Sequence, residues 1–346
     1  MNSLQVWLAI AGGVVLAVVV AHGAWVARRK APRQADPADG PTSPDHGEGA
    51  GHRTEPTLDG AAMAPLAVPA PERRPPLDAL IDCLASIAVD GVVSGDAALA
   101  AMPATRRAGS KPTGIEGLNE VTGHWEFPVA GQRYRAFQAG VQLANRSGPL
   151  NEIEFSEFVV KAQAFADAVG GMPDFPNMLT EVARGRELDQ FSGTHDAQLG
   201  FTLRARQTAW SAGYVHQQAA RLGFVAGAIP GRLVLPGSVP GVPAILELGF
   251  DTRAALSDDP ALSSIQQVTL SLDVPHVARI ERPFVRLREA AQALAAAMDG
   301  VVTDDNGQPL STDTLDRIGA DLEQLYDALE ERDLAAGSPQ ARRLFS

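Results

Sequence analysis

Cysteine is nearly absent, with Cys83 the single one. This excludes an internal disulfide and a multi-cysteine zinc site and leaves Cys83 as a small buried strand residue. Positive charge is scarce too. With 29 Lys and Arg against 41 Asp and Glu the net charge is −12, so the chain lacks the basic footprint that nucleic acid requires. Catalytic signatures are missing. The chain has no G-x-S-x-G, no H-E-x-x-H and no P-loop. His124, His195, His216 and His276 fall on different predicted elements without paired ligand spacing. Asp304-Asp305-Asn306-Gly307 lacks the register of a calcium loop and its closing Glu. No cofactor, metal or catalytic set emerges, and an enzyme is not expected.

Long apolar runs are missing everywhere but at the start. Leu4 to Ala27 is apolar apart from Gln5 and His22, and about 20 such residues suffice to cross a hydrocarbon core. A cleaved signal peptide is the competing reading, but it wants a positive charge before the run, and none is present. The cations Arg28, Arg29 and Lys30 come afterwards and would keep the rest of the chain in the cytoplasm. The expectation is a transmembrane helix over 4–27, anchored by Leu4, Trp7, Leu16, Val20 and Trp25, with the three cations flanking it. Residues 28–76, rich in Pro, Ala and Gly without an apolar period, read as a disordered linker. Its expected reach is roughly 35–40 Å.

Two α+β segments follow, at 77–191 and 192–332, with a flexible tail at 333–346. In the first, Ala79 to Val89 reads as a strand, Ser94 caps a short helix, and Ala104 to Gly114 reads as a loop. His124–Val129 and Arg133–Asn145 alternate like the arms of a hairpin. Phe155, Phe158, Ala162 and Phe165 mark one face of a helix that ends at Gly170. A further helix runs to about Phe191, and Ser192-Gly193 reads as the boundary. The second segment opens with a strand carrying Leu199, Phe201 and Leu203.

The most legible stretch is Val268 to Leu329. Val268–Val274 alternates as a strand, and Phe284, Leu287, Ala291, Leu294 and Met298 recur at helical spacing up to a capping Gly300. Asn306-Gly307 predicts a type I′ hairpin. Ser311 or Thr312 then caps a helix with the stripe Leu315, Ile318, Leu322, Leu325 and Leu329. Gln163 to Gly171 aligns without a gap on Gln292 to Gly300, so a diverged tandem of one module is expected.

This order resembles the C-terminal domain of the ZipA family. The residues that carry the resemblance are Val268-Thr269, Val274-Pro275, Gln292-Ala293 to Gly300, Val301-Val302 with Asp304-Asp305, and Leu315, together with Leu222 to Gly227 upstream. The resemblance implies an antiparallel sheet with helices on one face. It also implies an anchor in the bacterial inner membrane with its N-terminus periplasmic, and capture of the FtsZ C-terminal tail peptide on the open face. Carried onto this chain, that face holds Thr202, Arg204, Glu247, Gly249, Asp251, Thr269, Ser271 and Asp273. These are polar where the family would place apolar groups, notably at Ser271 and Asp251. In the first segment Leu80, Leu84 and Tyr134 form an alternative contact, provided Asp82 faces water, and Trp125 and Phe127 are further candidates. The rival reading is a membrane scaffold whose modules associate with each other or with another division protein.

Overall fold

The computed structural model describes residues 32–34, 76–239, 241–256, 264–304 and 306–346. The expected membrane helix at 4–27 and nearly all of the expected linker lie outside the described residues. Among the described residues, no helix is long and apolar enough to cross a membrane.

In chain order the elements are β1 (Asp82–Ser94), α1 (Gly95–Ala100), β2 (Arg107–Ala108), β3 (Lys111–Asn119), β4 (Trp125–Glu126) and β5 (Arg133–Gln142). Next come β6 (Ala144–Asn145), β7 (Gly148–Pro149), α2 (Glu152–Val169), β8 (Gly171–Asp174) and α3 (Met178–His195). Then follow β9 (Gln198–Ala205), α4 (Ala212–Ala220), β10 (Val225–Ala226), β11 (Arg232–Leu235), β12 (Leu246–Gly249) and α5 (Thr252–Ala255). The last are β13 (Gln267–Asp273), α6 (Pro283–Met298), β14 (Gly300–Thr303), α7 (Thr312–Glu330) and α8 (Pro339–Leu344).

Two compact units emerge. The first comprises Glu72–Ala197, Asp273–Ile280 and Ala320–Ser346, and the second comprises Gln198–Leu272 and Glu281–Gly319 together with residues 32–34. The break expected at Ser192-Gly193 does not occur, because α3 runs unbroken to His195. Ser192 is buried in that helix and its hydroxyl donates back to the Asp189 carbonyl at 3.0 Å. A single helical glycine costs only about 1 kcal/mol against alanine, which packing easily overrides.

The first unit is an antiparallel sheet in the order β2-β3-β5-β1-β8, with β4 also paired to β3. Its β1–β5 register sets Cys83 opposite Val141, Ala85 opposite Ala139 and Ile87 opposite Phe137, so one face is continuously apolar. Against it α2 lays Phe155, Phe158, Ala162 and Phe165, and Phe165 meets Phe137 edge-on at 5.2 Å. Each buried ring stabilises by about 1.5–3 kcal/mol. A capping box of Asn151 and Glu154 starts α2, and Gly170, at φ 68°, ends it.

Four sequence expectations fail here. The presumed loop at Ala104–Gly114 contains β2 and the start of β3, because Lys111, the residue that made it look solvated, is fully buried. Its Nζ donates to Asn145 Oδ1 (2.7 Å) and the Gly148 carbonyl (2.5 Å), and burial pushes its pKa down. The arm at His124–Val129 pairs with β3, not with β5. Asp82 does not face water. It is 1% exposed and takes a bidentate pair from Arg343 at 2.5 and 2.8 Å. The supposed flexible tail therefore forms α8, buries Leu344 and Phe345, and donates Gln340 Nε2 to Asp78 at 2.8 Å.

The second unit's sheet runs β10-β11-β12-β13-β9-β14. Phe201, Leu203, Leu248, Leu270 and Leu272 are buried, as are Leu287, Ala291, Leu294 and Met298 of α6. Read inward from the late edge strand, the two sheets follow one order: β8-β1-β5-β3 and β14-β9-β13-β12. Trp210 is fully buried and donates its indole N–H to the Met298 carbonyl at 2.7 Å. Arg33, inside the expected linker, pairs with it by backbone: its N–H donates to Ala209 O at 2.7 Å and its carbonyl accepts from Ser211 at 2.8 Å.

The end of α6 is also not as expected. Asp299 takes the left-handed cap at φ 53°, while Gly300 starts β14 against the Trp210 ring. In the following turn Gly307 has φ 79°. Asp304 accepts from the Gly307 N–H at 3.0 Å and donates its own N–H to Gln308 O at 2.9 Å, whereas a two-residue type I′ hairpin centred on Asn306-Gly307 would set Asp304 opposite Pro309. Ser311 caps α7 through the Thr314 N–H at 3.1 Å. The buried stripe of α7 is Leu315, Leu322, Tyr326 and Leu329.

Burial raises the Asp82 pKa from its ordinary 3.8, opposed by the hydrogen bond and charge of Arg343. Removing Arg343 raises it further. The folded chain then holds a proton that the unfolded chain has released, so stability falls as pH rises above about 4. Arg343→Ala is expected to cost about 3–5 kcal/mol at neutral pH and less at pH 5. Urea denaturation at the two pH values checks this.

Candidate binding surfaces

On the second unit, strand alternation turns Thr202 and Arg204 of β9, Thr269 and Ser271 of β13, and Glu247 and Gly249 of β12 away from the buried leucines. Glu247 stands opposite Ser271, and Gly249 opposite Thr269. Arg232 of β11 pairs with Glu247 and lays its stem over Gly249. Arg204 is exposed and has no ion-pair partner among the described residues. The face is polar and carries its own ion pair. Two expected members do not join it. Asp251 lies beyond β12 and caps α5, accepting from the Arg253 N–H at 2.9 Å. Asp273 ends β13 and is held by Arg146 at 2.8 Å, which also grips Asp196.

On the first unit, Leu80 is 36% exposed in the turn before β1, and Leu84 is half-buried against Gly140. Tyr134 offers no surface at all. Its ring is fully buried 5.8 Å from Phe137, and its hydroxyl donates to Glu126 at 3.0 Å and accepts from the Val129 N–H at 2.8 Å. What Tyr134 does is hold the stretch Trp125–Val129 in place.

That stretch forms one wall of a cavity of about 720 Å³. The opposite wall is Leu99 of α1 with Met102 and Pro103 just after it, and the floor is Thr113 to Glu116 of β3. Trp125, Val129 and Leu99 stay 40–51% exposed. The alternation of Trp125 and Phe127 was visible in the sequence. Leu99, Met102 and Pro103 were not, because so short a helix shows no period. The wall depends on a close approach at Gly95, whose N–H donates to Gln132 O at 2.8 Å and where a Cβ would strike the Val129 carbonyl.

The groups that could do chemistry are scattered. His195 stacks on Phe191 at 4.1 Å, His216 sits edge-on to Phe250, and His276 Nε2 lies 3.0 Å from the Phe345 carbonyl. Among the described residues no cluster of three His, Cys, Asp or Glu is placed to hold a metal ion. Burial, with Glu181 nearby, pushes the Cys83 thiol up to about 12.

The helix-backed antiparallel sheet is an α+β module with one open polar face. Residues 257–321, which take in β13, α6, β14 and the first turns of α7, match the model of the ZipA C-terminal FtsZ-binding domain. That family is one of binding domains and not of enzymes. No curated protein matches the chain.

Two outcomes follow from this geometry. A thiol reagent at pH 8 should label Cys83 only as fast as the chain unfolds, checked by labelling across a urea series. Gly95→Ala should drive the Val129 wall away from α1 and destabilise by about 1–3 kcal/mol, measured by the shift in urea midpoint.

Proposed function

We propose that the chain is an adaptor of bacterial cell division, without catalytic activity, whose second unit captures the C-terminal tail peptide of FtsZ. The observation that carries this reading is the family match over 257–321. The tail lies across Thr202, Arg204, Glu247, Thr269 and Ser271, and its terminal carboxylate pairs with Arg204. Leu4 to Ala27 anchors the chain in the inner membrane, N-terminus outside and both units in the cytoplasm. Docking of Arg33 beside Trp210 supports a short tether, since the six residues from Ala27 to Arg33 span at most about 20 Å. Anchoring many copies raises the effective concentration, so weak capture of each tail suffices. We read the two units as diverged copies of one module, which the common strand order supports.

The polar face favours a second reading, in which tail binding is lost and the units form a scaffold that self-associates or holds another division protein. The two separate by titrating FtsZ tail peptide into the isotope-labelled full chain in phospholipid nanodiscs. Shifts at Thr202, Arg204, Glu247 and Thr269 are expected, and Arg204→Glu should weaken binding about fivefold, the worth of one exposed ion pair. No shift at millimolar peptide would reject tail capture in favour of the scaffold.

A further inference from the structure

The outer edge of β3 is paired at both ends and bare between them. At one end Arg107 and Ala108 of β2 stand opposite Pro112 and Lys111, and the Thr113 N–H donates to Arg106 O at 2.9 Å. At the other, Leu118 and Gly117 stand opposite Trp125 and Glu126, and the Asn119 N–H donates to His124 O at 3.0 Å. In an antiparallel strand, alternate residues turn their backbone groups to the same side. Thr113 and Asn119 donate away from β5, so the N–H and C=O of Ile115 also point to the outer edge. No described strand pairs with Ile115 there, and the cavity lies over that gap.

Two carboxylates line the same cavity. Glu116, 1% exposed, accepts from the Leu77 N–H at 2.9 Å and from Gln138 Nε2 at 2.7 Å. Glu126 accepts from Asn119 Nδ2 at 2.7 Å and from the Tyr134 hydroxyl at 3.0 Å. Every one of these donors is neutral, and the lining sets one cation, Arg106, against the two carboxylates, which leaves the cavity net negative. We propose that this cavity is a second docking site, for an extended segment of a partner protein that carries apolar side chains around one basic residue. The segment adds a short strand against Ile115 by backbone pairing. Its apolar side chains fill the space between Leu99 and Val129, and its cation faces Glu116 and Glu126. A volume of about 720 Å³ lies within the usual range for a peptide or small-ligand site.

This site is separate from the FtsZ reading, and the test keeps the two apart. The probe is a library of end-blocked hexapeptides with Val, Leu, Phe or Trp at five positions and Lys at the sixth, screened against the full chain in nanodiscs. A member is expected that binds saturably and slows amide exchange at Ile115. It should lose about tenfold in affinity with Val129→Arg or, on the opposite wall, with Leu99→Lys. Both changes sit at exposed positions that tolerate substitution. Replacing its Lys by Glu should weaken it about threefold, while Arg204→Glu leaves it unchanged. No member binding below millimolar, protection away from β3, or equal binding by both wall variants would overturn the proposal. So would Ile115 protection that grows with protein concentration in the absence of peptide, which would assign the edge to a second copy of the chain.

Discussion

An antiparallel sheet that buries one face must still dispose of the other face and of both edges. Backbone donors and acceptors left bare cost free energy or recruit a partner. The first unit meets this partly from within. The C-terminal α8 brings Arg343 onto Asp82 at the start of β1, and the side-chain amide of Gln142 donates to the Arg343 carbonyl at 2.7 Å. A pair this buried adds little net stability over an apolar replacement, but breaking it strands a charge. The C-terminus is thereby committed to one position. The edge at β3 is closed at both ends and left bare at Ile115.

The second unit resolves the same constraint with side-chain chemistry. Its leucines point one way along β12 and β13, and Glu247, Thr269 and Ser271 point the other. The Arg232–Glu247 pair satisfies charge across the open face. Such a face stays solvated without a cover, and it offers little apolar area to remove from water.

How much of this was legible in sequence follows from the range of each signal. β13, α6 and α7 were readable because their burial has a local period, and Leu287, Leu294, Leu315 and Leu322 hold it. Signals failed where a distant group reversed the local inference. Lys111 looked solvated until Asn145 and Gly148 enclosed it. Asp82 looked exposed until a residue 261 positions away bound it. Tyr134 looked free to join an exposed contact, yet its ring is buried and its hydroxyl is held by Glu126 and Val129. Asn306-Gly307 gave the hairpin but not its turn type, because a left-handed glycine serves both the two-residue and the three-residue loop. Of the proposed contact residues on the second unit, Thr202, Arg204, Glu247, Gly249, Thr269 and Ser271 share one face. Asp251 and Asp273, which depended on where a strand ends, do not.

The two surfaces draw their free energy from different sources, and this constrains how the chain can be used. Contacts made through Arg204 are exposed and screened within about 8 Å at physiological ionic strength. They favour fast, weak, repeated capture, which suits many identical tails presented along a filament. Filling the cavity between Leu99 and Val129 removes apolar surface from water, an interaction that salt does not weaken. It also pairs backbone in a fixed register. A partner held there would stay while filament tails exchange. If both proposals hold, the first unit would supply persistence and the second turnover, and a chain with both would not need strong affinity at either.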